Sequence, residues 1–175
     1  MRNRLNPSSM IPVRLFRYAG LLLLVLVVSF SGIARAERPD DQDVVAFFRT
    51  VEESFREKNV PEIIGHVHKD LSYVMTYSTN ENFSFLESDY DNYRANVGAF
   101  FKSKPEIHEY SILIEDIRRS GGDVMVLARL KSVVQLEGII NSCDASSNYL
   151  LQKINHDYLI REVRGDATCT NTKVK

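Results

Sequence analysis

The chain has 175 residues, with 22 Lys+Arg against 23 Asp+Glu, a net charge of −1 and two cysteines. Five of the basic residues (Arg2, Arg4, Arg14, Arg17 and Arg35) and none of the acidic ones precede Glu37, so residues 37–175 hold 17 basic against 23 acidic residues, or −6. An acidic body without a basic run argues against nucleic acid as a partner, since that binding rests on Lys/Arg contacts to phosphate, and its length suits one domain with a proper core rather than two.

The N-terminal arginines precede an uncharged run, residues 18–33, with the apolar centre "LLLLVLVV". Ala34, Arg35 and Ala36 then place small residues at the two positions a signal peptidase reads. The run is short for a membrane span, which needs about 20 apolar residues. The expectation is a signal peptide over 1–36, cleaved near Ala36, and a domain over 37–175 in the periplasm or secreted, with no membrane association afterwards. No cysteine stands near the cleavage point to carry a lipid. "MIPVRLFRYAG" reads as the better start, so translation from Met10 is one alternative; retention as an uncleaved anchor is the other.

From Asp40 onward Val44, Phe47, Phe48, Val51 and Phe55 fall at helical spacing, with Asp40 or Asp41 as cap and an end near Lys58. Asn59, Pro61 and Glu62 restart a short helix that buries Ile63, Ile64 and Val67. "DLSYVMTYS" then changes to a period of two: Leu71, Tyr73, Met75 and Tyr77 on one face, Ser72, Val74 and Thr76 on the other. "TNENFSFLES" reads as a polar loop. Ser88 and Asp91 suggest a capping box for a third helix with the stripe Tyr90, Tyr93, Val97, Phe100 and Phe101, which is core more readily than a ligand box.

After Lys104 and Pro105 everything reads as sheet. "IHEYSILIEDIRR" turns at "SGGD" into one long strand, "VMVLARLKSVVQLEGII"; "SSNYLLQKI" turns at "NHD" into "YLIREVRGDATC". The implied architecture is α+β: an antiparallel meander with helices on one face. Centring the last hairpin on His156 pairs Ile154 with Tyr158 and Leu150 with Glu162. The same register places Cys143 opposite Cys169, close enough for a disulfide provided no bulge intervenes in "NSCDASSN". An oxidising compartment and an even cysteine count favour that bridge. Without a CxxC spacing the pair supplies only half a zinc site.

The order of elements resembles the nuclear-transport-factor-2-like superfamily and, within it, small SnoaL-like bacterial domains. "FREKNVPEIIGHVHKDLSYV" and "YSILIEDIRRSGGDVMVLARL" carry the local likeness. The resemblance implies a cystatin-like cone: a curved antiparallel sheet wrapped around N-terminal helices, with a pocket at its open end. Such folds host isomerases, dehydratases and non-catalytic modules, so membership does not give function. Ketosteroid isomerase, a relative by fold, uses a carboxylate on its first strand and a tyrosine of its first helix. An ungapped match puts Met75 and Val51 at those positions, and neither can transfer a proton.

Among candidate sites, His66, His68 and Asp70 have the residue types of a metal site, but two-residue spacing diverges where a helix ends, and a histidine there complements the helix dipole. No metal and no cofactor is expected. Asp70 or His68 with Tyr73 or Tyr77 forms a conceivable acid–base pair; the simpler view makes both tyrosines amphipathic wall residues. Tyr73, Met75, Tyr77 and Tyr93 are the expected pocket wall. Arg129 joins them if it points inward, with Arg161, to anchor an acidic ligand; otherwise the strand cations form the solvated face. The expected function is an exported, non-catalytic binding or assembly module for a small apolar ligand or an envelope protein, with a homodimer through the sheet as its possible assembly. The alternatives are a pocket enzyme of proton-transfer type and an anchored periplasmic assembly domain of a secretion system.

Overall fold

The computed structural model describes residues 41–79 and 82–174; the expected signal peptide lies outside the described residues. Helix α1, Gln42–Arg56, buries Val44 and Phe48, and sinking a side chain such as Phe48 contributes about 1.5–3 kcal/mol. Asp41 stands at its N-cap without a side-chain capping bond. Its carboxylate instead lies 3.6 Å from Arg119 Nε. Helix α2, Val60–Gly65, starts as its sequence predicts: Asn59 accepts from the Glu62 N–H, and Pro61 sits in the first turn.

Strand β1, Val67–Thr79, follows at once. The segment expected as a polar loop is in part strand β2, Phe83–Ser88, antiparallel to β1 with Met75 opposite Leu86. Its polar surroundings hid the alternation of Phe83 and Phe85 with Ser84. Helix α3, Tyr90–Lys102, is capped one residue later than predicted, by Asp89 accepting from the Asn92 N–H at 2.8 Å; Ser88 is buried at the end of β2 instead.

Four long strands complete the sheet: β3 Glu106–Ser120, β4 Asp123–Leu136, β5 Ile139–Ile154 and β6 Asp157–Lys173. The single long strand expected through Ile140 is broken by a tight turn at Glu137 and Gly138, both at positive φ (50° and 75°), the geometry of a two-residue hairpin. The sheet order is β2-β1-β6-β5-β4-β3. All neighbours are antiparallel except β1 and β6, which run parallel. The sheet curves, and the helices pack on its concave face.

The last hairpin reaches the predicted cysteine pairing by a different route. Its turn is Asn155 and His156, so Ile154 opposes Asp157 rather than Tyr158. A bulge at Arg161 then adds one residue to β6, restoring Leu150 opposite Glu162 and Cys143 opposite Cys169. The two cysteines form a disulfide.

Two polar contacts fix the start of α1 and the helix corner. Tyr158 Oη donates to Asp43 (2.7 Å), and Arg119 donates to both Tyr158 Oη (2.9 Å) and Asp43 (3.0 Å). Burial alone would raise the Asp43 pKa, but these bonds, with the Val44 N–H and the charge of Arg119, outweigh it and hold the carboxyl below its ordinary 3.8. His66, the C-cap of α2, sits edge-on to Phe47 with Nε2 3.3 Å from Ser54 Oγ. Burial lowers its pKa below 6.5 against the opposing charge of Glu62. The ring is therefore a neutral packing element, not the cationic dipole partner expected from its place at a helix end.

Both shifts make stability fall with acid. Below 6.5 the unfolded chain takes up the His66 proton more readily than the folded one, and below 3.8 the same holds for Asp43. Melting temperature against pH should fall in two steps, with His66→Asn removing the upper and Asp43→Asn the lower.

Candidate functional site

Leu71, Tyr73, Met75 and Tyr77 of β1 project to the concave side because a strand alternates. There they meet Val51 and Phe55 of α1, Tyr93, Val97 and Phe100 of α3, and Cys143, Ala145, Ser147 and Tyr149 of β5. Together with β2, β4 and β6 these enclose an open cavity of about 700 Å³, within the size range of small-molecule sites. Glu137, Asn141 and Asn171 also line it, near the β4–β5 turn. The end of β4 beside the Arg119 and Tyr158 cluster is packed shut by Val44, Phe48 and Val126.

The wall has hydroxyls but little charge. Tyr73 Oη and Tyr77 Oη are 3.0 Å apart, and the Tyr73 ring lies against that of Tyr93 (centroids 5.6 Å). Tyr110 stacks flat on Phe55 at 4.2 Å. Desolvation, foremost, raises the pKa values of Tyr73, Tyr93 and Tyr110 well above 10; neighbouring tyrosines add to it. Tyr149 is pushed up to about 12, desolvation being eased in part by a bond to Ser147. All four are neutral phenols at ordinary pH. Among the described residues lining the cavity, only Glu137 is charged.

No family model and no curated protein matches the sequence. Solved structures resemble it in shape. A conserved protein from Planctomyces limnophilus superposes with a TM-score of 0.59 at 11% identity, over 77% of this chain and 98% of that one. A ketosteroid isomerase-like protein from Erwinia carotovora gives 0.55 at 10%, over 74% and 97%. A nuclear-transport-factor-2-like protein from Cytophaga hutchinsonii gives 0.55 at 11%, over 77% and 99%. This chain has the nuclear-transport-factor-2-like fold.

Within the nuclear-transport-factor-2-like cone, Val51 and Met75 both line the cavity. Neither side chain can take or give a proton. Tyr73, Met75, Tyr77 and Tyr93 share the same wall, but Arg129 is not part of it. It lies between Ala128 and Leu130, which face inward, so it points the other way, 3.3 Å from Glu115 and 4.0 Å from Asp144. His68 and Asp70 are likewise on the far face, so neither joins Tyr73 or Tyr77 in an acid–base pair. The Asp70 N–H donates to His68 Nδ1 at 3.0 Å. Among the described residues no three His, Cys, Asp or Glu groups gather to hold a metal.

Sequence reasoning missed Tyr110 and Tyr149. The signal for Tyr149 was present: Cys143, Ala145, Ser147 and Tyr149 alternate on one face of β5. For Tyr110 it was obscured, because bulges of β3 shift the inward set from Ile107 to Tyr110 and from Ile114 to Ile117.

Raised phenol pKa values stabilise the fold below pH 10 and cease to do so as pH rises, since the unfolded chain then loses protons first. Spectrophotometric titration of the tyrosines of residues 37–175, seven of the eight in the sequence, should show a group that ionises only as the protein unfolds, and Tyr110→Phe should reduce that group by one.

Proposed function

We propose that this protein is an exported binding module that holds a small, uncharged apolar molecule in its cone. The observation that carries this reading is the composition of the cavity wall: aromatic and aliphatic side chains, neutral hydroxyls and, among the described residues, a single charge, Glu137. Burying an unpaired charge in such a space is costly, so a carboxylate-bearing ligand is disfavoured, and Glu137 repels it further. General acid–base chemistry needs a group of suitable pKa within hydrogen-bond reach of the substrate. The buried tyrosines have had theirs raised beyond that range, and Glu137 stands on an exposed turn. The Tyr73–Tyr77 hydroxyl pair can instead orient a ligand's carbonyl or hydroxyl oxygen, one phenol donating to the other and the second to the ligand.

Fluorescence titration tests this. The neutral dye phenylnaphthylamine should bind saturably and its anionic analogue anilinonaphthalene sulfonate more weakly. Ser132→Phe, which fills the wall, should weaken the neutral dye about tenfold without lowering the melting temperature. Glu137→Lys should improve binding of the sulfonate. Saturation by neither dye would sink the proposal.

Export is supported by the disulfide and by the N-terminal pattern of the sequence; no helix among the described residues is long and apolar enough to cross a membrane. Protein recovered from the envelope or medium should begin at Glu37 and show no thiol labelling before reduction. A chain retaining its N-terminal segment would favour the anchored assembly domain.

A further inference from the structure

On the convex face, where β5, β6 and β1 adjoin, two irregularities fall at one height. The bulge at Arg161 interrupts the β5–β6 ladder. Between its partners Val67↔Ile160 and Ser72↔Glu162, β1 advances five positions while β6 advances two. The mismatch opens a depression lined by His68, Asp70, Ser72, Gln152, Arg161 and Glu162. It is separate from the cone, because Ser72 alternates with Leu71 and Tyr73 of the cavity wall.

The groups there are polar and largely unused. Arg161 is half-buried, yet neither it nor the side chains of Ser72 and Gln152 has a hydrogen bond or ion pair among the described residues. A partly buried arginine whose guanidinium has no carboxylate partner among the described residues is an unspent donor, and its fork suits a planar carboxylate. His68 Nδ1 accepts from the Asp70 N–H, so the neutral ring carries its proton on Nε2, a second donor. The opposite sign is present too. The Asp70 carboxylate is 85% exposed, 3.7 Å from His68 Nδ1. Glu162 is held by Arg164 at 2.6 Å.

We propose that this depression is a second ligand site, for a zwitterion with a carboxylate next to an ammonium, the chemistry of a free α-amino acid. The carboxylate meets Arg161 and the His68 Nε2–H, the ammonium meets Asp70, and Ser72 and Gln152 each offer both a donor and an acceptor. A plain anion would face Asp70 and Glu162 across the same small space, and a plain cation would face Arg161. Only a ligand of both signs satisfies both sets.

Amide chemical shifts of the protein titrated with alanine, propionate and alaninamide test the assignment. Alanine should produce saturating shifts at residues 68–72 and 161–162, with propionate and alaninamide about tenfold weaker, the effect of one lost charge-assisted contact. Arg161→Gln should abolish the alanine response. Asp70→Asn, at an exposed position that cannot unfold the chain, should leave alanine no tighter than propionate. Both variants should keep dye binding in the cone, which makes this site's outcome independent of that one. Propionate binding as tightly as alanine to the unaltered protein would overturn the zwitterion assignment, and scattered, non-saturating shifts would overturn the site itself.

Discussion

One extra residue in one strand, Arg161, sets which way the rest of β6 faces. A strand alternates its side chains, so a one-residue insertion exchanges inside for outside along everything that follows. Before the bulge the inward residues of β6 are Tyr158 and Ile160; after it they are Val163, Ala167 and Cys169, all buried. Without it the apolar set of the second half would meet water. The same insertion brings Cys169 opposite Cys143. Beyond it β6 runs so close to β5 that a Cβ on Gly165 would lie 2.6 Å from Ser147 Oγ and 2.8 Å from Ser147 Cα. Glycine is required there by the space, not by its backbone angle.

Bulges also give the sheet its curvature. β3 carries irregularities at His108 and at Glu115, and each bends the strand while keeping Ile107, Ile112 and Ile117 inward. A sheet bent in this way has a concave face larger than the helices can fill. The packed end takes Phe48, Val126 and Leu151, whereas the other remains an apolar space rimmed by asparagine. Tyrosine suits its wall because an aromatic body with one hydroxyl lines an apolar cavity without bringing charge into it.

Helix α1 closes the β3 edge through its polar face. The Ile112 N–H donates to Glu52 at 3.0 Å, Arg56 Nε donates to the Tyr110 carbonyl at 2.9 Å, and Lys58 Nζ donates to that of Pro105 at 2.7 Å. Free backbone groups on an edge strand invite another strand to pair, and here side chains of α1 occupy those of Tyr110 and Ile112. The helix is thus tied down along its length: by Asp43, Arg119 and Tyr158 at its start, by Glu52 and Arg56 at the edge, and by Phe55 against Tyr110 near its end. A helix held so firmly keeps Val51 and Phe55 as fixed cavity wall.

Local chemistry made much of this legible in the sequence. Capping by Asn59, the turns at Gly121 and at Asn155, the face shared by Leu71, Tyr73, Met75 and Tyr77, and the α+β class each follow from a residue and its immediate neighbours. The cysteine pairing was legible too, because a turn one residue shorter than a hairpin centred on His156 and the extra residue Arg161 offset one another. Placement across the sheet was not legible. Strand β2 is short and set among polar residues, and it becomes a strand only because β1 offers it an edge. The parallel pairing of β1 with β6 joins segments some 90 positions apart, beyond any local signal. Whether Arg129 faces ligand or solvent, and whether His68 and Asp70 meet Tyr73, depends on which side of a curved sheet each falls. Alternation along one strand says which residues share a face; only the packing of helices on the sheet decides which face is the inside.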